Sequence, residues 1–284
     1  MRSFLMSAAL LLATGCHEPV GNILVYEVDA ESPADREKVN MSALIKAIDR
    51  RVNGGARRCE VRTLENGQIE IGIFGSNPVT MQRIENLVGC LGTLEFRILA
   101  NQRDHKSLID RALKEDGSCF KDDDGNLCAW WVPVTVGREE SFTAYSEIAT
   151  RTHESQGRKR TEILVVKDPF DVTGAYLTRA VPDVDQRGRP CVRFFLNAAG
   201  GSRFSGLTGN NLPDEVQNFS RKLGIILDGC LQSAPAIQST ISQQGEITGD
   251  FTMQEVQDFV DVFNAGSLPA RVKKVGERKG GGSP

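Results

Sequence analysis

Histidine, tryptophan and aromatic residues in general are scarce: the 284 residues hold three His, two Trp and 6% aromatics. His17, His105 and His153 stand apart, and none has a Cys or His at zinc-ligand spacing. There is no Gly-x-Ser-x-Gly elbow, no phosphate-binding Walker loop and no dinucleotide-binding glycine triplet. Asp122-x-Asp124-x-Asn126 begins like a calcium loop, but Leu127 stands where glycine is needed and Pro133 where the bidentate Glu belongs. We therefore expect no enzymatic activity, no metal and no cofactor. Charge of one sign is also lacking. Lys and Arg total 34 against 37 Asp and Glu, a net charge of −3, which leaves no field to draw in nucleic acid. Long apolar runs are absent after residue 16, because stretches such as Leu223 to Leu227 end within a few residues.

What is present begins at the amino terminus. Met1-Arg2, the apolar run Ser3 to Ala13 and the small residues Thr14-Gly15 before Cys16 read as a secretory signal. Ala-Thr-Gly-Cys resembles the bacterial lipobox, which implies Cys16 as the lipid-attachment residue and a chain anchored on the extracytoplasmic, periplasmic side of a bacterial envelope. Six cysteines follow: Cys59, Cys90, Cys119, Cys128, Cys191 and Cys230. Export permits disulfides. Cys119 and Cys128 flank a turn around Asp-Gly-Asn, so a bridge between them is expected.

Residues 22–100 carry a regular rhythm. Ile23 to Val28 is a strand; Met41, Leu44, Ile45, Ile48 and Val52 share a helical face that Gly54-Gly55 ends. Cys59 to Leu64 and the alternating Ile69, Ile71, Ile73 form a hairpin about Asn66-Gly67, Asn77-Pro78 opens a second helix, and Thr93 to Leu99 is a last strand. The order β-α-β-β-α-β predicts a ferredoxin-like split-βαβ base. Residues 101–160 are charged and read as insert and linker, with order around Trp130-Trp131-Val132. Residues 161–249 form a head with strands at Ile163 to Val166, Val192 to Leu196 and Leu223 to Leu227. Its glycine-rich helix must be held by Phe204 and Leu207. In residues 250–275, Thr252 to Glu255 is a capping box opening a helix with Val256, Phe259, Val260 and Phe263 on one stripe, followed by a short strand. Residues 276–284 read as a flexible tail.

Residues 226–237, "ILDGCLQSAPAI", carry no reactive chemistry, yet Asp228-Gly229 between apolar strands is a tight hairpin signal, and Pro235 belongs beyond the ladder. This stretch resembles the SecD family of the bacterial Sec export machinery. The shared residues are Leu227, Asp228, Gly229, Ser233, Ala234, Pro235 and Ile237, then Ile247, Thr248 and Gly249, then Ala265, Gly266, Leu268, Pro269 and Ala270. "LVYEV" at 24–28, "LEFRIL" at 94–99 and "VTGAYLTRA" at 172–180 also resemble the family. The resemblance implies its first periplasmic domain: an α+β fold in which the base is completed by the C-terminal helix and strand, with an α+β head inserted between. It further implies a head that holds emerging preprotein and swings relative to the base, driven by proton flow through membrane helices.

Against the family pattern, the membrane helices have no counterpart in the sequence, and neither does any intramembrane acid to carry protons. Gly21-Asn22 replaces a Gly-Gly, Leu212 to Ser220 enlarges a loop, and Cys230 lies inside the hairpin. The expectation is a stand-alone, lipoprotein-like SecD form. It would bind unfolded or translocating polypeptide as an accessory to Sec-dependent export, with translocon components as partners. The alternative is an envelope adaptor lipoprotein that keeps the fold and docks one folded partner.

Overall fold

The computed structural model describes residues 20–54, 58–75, 77–143, 147–155 and 158–280. The leader and Cys16 lie outside the described residues. The first part of the chain gives β1 (Val20–Val28), α1 (Pro33–Glu37), α2 (Met41–Val52), β2 (Cys59–Thr63), β3 (Ile69–Phe74) and α3 (Pro78–Gly89). The middle gives β4 (Leu94–Leu99), α4 (Lys106–Lys114), β5 (Cys119–Lys121), β6 (Leu127–Pro133), α5 (Glu140–Thr143), β7 (Thr150–Ser155), β8 (Arg158–Val166) and β9 (Val172–Thr173). Then come β10 (Leu177–Val184), β11 (Pro190–Leu196), α6 (Ala198–Gly209), β12 (Leu223–Leu227), β13 (Cys230–Ser233), β14 (Gln244–Ile247), α7 (Met253–Ala265) and β15 (Val272–Lys279).

The base is a four-stranded antiparallel sheet in the order β15-β1-β3-β2. Leu24, Tyr26 and Val28 of β1 and Ile69, Ile71 and Ile73 of β3 share one face and bury Leu44, Ile48, Ile84 and Val88 of the two long helices. Both helices start where asparagine can cap: Asn40 accepts from Ala43 N at 3.0 Å and Asn77 from Val79 N at 2.9 Å, with Pro78 supplying a preset φ.

The fourth position of the base sheet belongs to β15, not to Thr93–Leu99. β4 instead pairs with β12, β8 and β9 in the head. The burial patterns give the reason. In β4, Leu94, Phe96, Arg97, Ile98 and Leu99 are all buried, as suits an interior strand covered on both faces, whereas β15 buries only Val272 and suits a sheet edge. β15 also runs into the stretch expected as tail, since Gly276 to Lys279 pair with Val25 to Asn22.

The region 101–160 is no linker. β5, β6 and β7 join a sheet whose path is β13-β12-β4-β8-β6-β5, with β7 on β8 and β9 on β4. A second sheet, β10-β11-β14, completes the head. Phe204 and Leu207 of α6 are fully buried, and the helix's glycines permit close approach: a Cβ on Gly200 would lie 2.5 Å from Tyr176 Cβ, and one on Gly206 would lie 2.6 Å from Phe170 Cδ1. The capping box of α7 forms, Thr252 Oγ1 accepting from Glu255 N and the Glu255 carboxylate from Thr252 N.

The expected Cys119–Cys128 bridge is not formed, and all six described cysteines are free. Register is the reason: Cys119 lies opposite Trp130, and a bulge displaces Cys128, whose thiol donates to Phe120 O at 3.3 Å.

Candidate functional site

The family-motif residues divide between two places. The first is the crossover where the chain leaves the base after α3 and returns to it after α7. The β12–β13 turn has φ of +52° at Asp228 and +75° at Gly229, the geometry of a two-residue hairpin with both central residues left-handed. This turn docks on the outgoing strand: Asp228 Oδ1 accepts from Thr93 N at 2.7 Å, and Asp228 N donates to Thr93 O at 2.9 Å. The returning strand lies alongside, Leu268 N donating to Leu91 O at 2.8 Å. Pro269, by contrast, is exposed.

Sequence reasoning missed the residue that ties these strands together. Arg51, on α2, is fully buried, and its guanidinium donates to Leu87 O at 3.1 Å, Cys90 O, Leu91 O at 2.6 Å and Gly266 O at 2.7 Å. These are carbonyls at the ends of α3 and α7, where the helix dipoles concentrate negative charge. Burial lowers the Arg51 pKa from its usual value. Gly92 leaves the room, since a Cβ there would lie 2.5 Å from Arg51 Nη2. Beside it the Cys90 thiol is pushed up to about 12, by burial first and then by its hydrogen bond to Asp228. An arginine near a helix end carries no sequence signal that separates this role from a solvated one.

The second place is a trough in the head. Ser233, Ala234, Pro235 and Ile237 line it, together with Thr248 and Gly249, just past β14. Ile247 itself is buried and pairs with Val192. The trough has two compartments. One is a cavity of about 410 Å³ floored by Phe96, Phe194, Phe204, Leu223, Ile225 and Ile237. Its three rings meet at centroid distances of 5.1, 5.1 and 5.7 Å, tilted or edge-on. The other, of about 450 Å³, is lined by Arg138, Ser141, Gln232, Ser233, Asp250 and Glu255. Pro235 and Thr248 belong to both. β14 is the terminal strand of its sheet, and among the described residues no strand pairs its outer side. Its Gly245 makes room for the floor, for a Cβ would lie 2.7 Å from Phe194 Cζ.

The α7 helix spans from trough to crossover. Glu255 at its start receives Arg138 at 2.7 Å, and Arg138 lies 4.5 Å over the Phe251 ring. Burial works to raise the Glu255 pKa, but the Thr252 amide and hydroxyl and Arg138 pull it below the ordinary value. Farther along, Asn264 pairs with both backbone groups of Ala180, while Arg83 of α3 holds Asp258 at 2.6 Å and Asp261 at 2.8 Å. One helix is thereby tied to the head on one side and to the base on the other.

No helix among the described residues is long and apolar enough to cross a membrane, and no cluster of His, Cys, Asp and Glu among them could hold a metal.

Residues 146–270 match the family model described as SecDF, P1 head subdomain. The chain is similar to protein translocase subunit SecD of Elusimicrobium minutum (strain Pei191), 31% identical over 268 residues, 91% of this chain and 51% of the relative. It is 39% identical to SecD of Aquifex aeolicus (strain VF5) over 115 residues, 40% of this chain and 21% of that one. The chain thus spans about half the length of the relative it matches over most of its own. A solved structure of SecDF, a membrane component that enhances protein export, shares the fold: TM-score 0.56 at 23% identity, over 89% of this chain and 98% of that one. Over 91% of its length the chain is thus similar to SecD, and residues 146–270 match the head subdomain of that family.

Proposed function

We propose that this chain is a SecD-like extracytoplasmic protein that holds unfolded or translocating polypeptide in the trough of its head, as an accessory to Sec-dependent export. In this reading the lipid on Cys16 anchors it to a membrane, and components of the Sec translocon are its neighbours. The observation that carries the reading is the free side of β14 beside the floor of Phe96, Phe194 and Phe204. A terminal strand offers backbone donors and acceptors to any extended chain, and an apolar floor rewards side chains without demanding one sequence. Affinity for many unrelated segments follows from that combination, as a holder of exported polypeptide requires.

The test places a photo-crosslinking benzoylphenylalanine at Gln244, on β14 at the cavity rim, in vesicles translocating a stalled secretory precursor. The expected result is an adduct with the precursor, absent when the same group replaces Glu60 on the base. No adduct above background from Gln244 would refute the reading. A single folded protein recovered in stoichiometric amount would support the adaptor role instead.

A further inference from the structure

The two compartments of the trough differ in chemistry, and the difference bears on which polypeptides it takes. The first is floored by three phenyl rings and branched aliphatics. The second is lined by two guanidiniums, two carboxylates, hydroxyls and an amide: Arg138 and Arg189, Asp250 and Glu255, Ser141 and Ser233, and Gln232. The lining charges balance. The compartment therefore suits neutral hydrogen-bonding groups better than an isolated ion.

Ser233 strengthens this view. It is 6% exposed, it ends β13 at the compartment wall, and its Oγ has no hydrogen-bond partner among the described residues. Buried hydroxyls are normally satisfied, and this one, closed off from solvent, adds an unpaired polar group to the compartment wall. An apolar side chain entering here would bury the surrounding polar groups without replacing their water.

The compartments meet at Pro235 and Thr248. Gln244 to Glu246 line the apolar one, and Thr248 to Asp250 line the polar one. Those two sets are four positions apart, about 13 Å along an extended chain. We infer that the trough selects extended segments of mixed polarity, a bulky apolar residue and a hydrogen-bonding residue about four positions apart. It discriminates against uniformly apolar segments of the kind that enter a bilayer. This inference rests on the holding function proposed above and names the class of segment held.

The test uses the purified chain and three fluorescent 11-residue peptides read by anisotropy: one with Phe and Asn four apart in a Gly-Ser background, one with Phe and Leu at those positions, and one with Ser and Asn. We expect the mixed peptide to bind about tenfold tighter than the Phe-Leu peptide, the worth of roughly one satisfied hydrogen bond, and at least about tenfold tighter than the Ser-Asn peptide, which gives up the burial of a phenyl ring. The double variant Gln232→Ala, Ser233→Ala, which leaves the phenylalanine floor intact, should bring Phe-Asn and Phe-Leu peptides to parity. Near-UV circular dichroism confirms that the variant is folded; should it be misfolded, Gln232→Ala alone is expected to narrow the ratio at least twofold. Equal binding of the mixed and apolar peptides by the native chain, or an unchanged ratio in the folded variant, overturns the selectivity while the holding function stands. Failure of all three peptides to bind counts against the holding function and removes this inference with it.

Discussion

The base core is aliphatic apart from Tyr26 and Cys59: Leu24, Ile69, Ile71 and Ile73 from the sheet meet Leu44, Ile48, Ile84 and Val88 from two helices. The head core instead gathers around Phe96, Phe194 and Phe204, which stand at the border of a cavity as well as in the interior. Branched aliphatics on a regular sheet interdigitate to near-crystalline density. Rings contributed by β4, β11 and α6 meet at angles, and the space beside them becomes the trough. Under the proposed function the contrast assigns roles: the base is a packed support, and the head offers the surface for polypeptide.

Truncating each core separates these roles most strongly. Phe194→Ala should cost about 3–5 kcal/mol, and Ile71→Ala about 2–5 kcal/mol. Both tryptophans, Trp130 and Trp131, lie on β6 in the head, so their fluorescence reports that region alone, while far-ultraviolet circular dichroism reports both. In urea, Phe194→Ala should shift the tryptophan transition. Ile71→Ala should move part of the dichroism transition with little change in fluorescence. If both probes stay coincident in both variants, base and head unfold as one unit and the contrast between them fails as a statement about stability.

Arg51 tests the coupling between them. Arg51→Met keeps the length and apolar bulk of the side chain but leaves the carbonyls of Leu87, Cys90, Leu91 and Gly266 without their donor. Unsatisfied buried carbonyls make this a loss of about 3 kcal/mol. The two probes should now diverge, because the outgoing and returning strands lose their common tie. Arg51→Lys should recover little, since one ammonium lacks the planar fork that reaches several acceptors. Coincident transitions in Arg51→Met would place the coupling in α7 and its contacts with Arg83 and Ala180 instead.

Much of this was legible in the sequence wherever a local rule decided the outcome. Asn77 announces its helix, Thr252 and Glu255 their capping box, and Asp228-Gly229 its hairpin, because each signal needs only residues a few positions apart. The placement of Leu94–Leu99 was not legible that way. Its rhythm satisfies the last strand of a βαββαβ unit, and only the competition with Val272–Lys279 for one sheet edge sends it to the head. The folded state of residues 101–160 was hidden by charge. Arg151 pairs with Glu162 at 2.7 Å across the β7–β8 hairpin, so charged residues there decorate a sheet that composition alone made look like linker. The trough floor was hidden for another reason: Phe96 and Phe204 are far apart in the chain, and nothing local marks either as facing a cavity. The motif residues Ser233, Ala234, Pro235 and Ile237 line it, but the resemblance singled them out as part of a hairpin segment and not as the lining of a cavity.

The smallest effect belongs to Asp228, and it bears on whether the crossover is held by charge or by geometry. Its carboxylate accepts from Thr93 N while its backbone sits at a φ of +52°. Asparagine keeps the acceptor and tolerates the left-handed conformation, so Asp228→Asn should change stability by less than about 0.5 kcal/mol. Asp228→Ala loses the acceptor and adds left-handed strain, for a cost of about 2 kcal/mol. The head probe should register that cost first, because the turn belongs to β12 and β13, and the base should follow only as far as Thr93 and Arg51 transmit it. Equal losses for Asn and Ala would mean that the negative charge itself holds the turn, through the buried Arg51 nearby, and the crossover would then be an electrostatic joint whose strength falls with added salt.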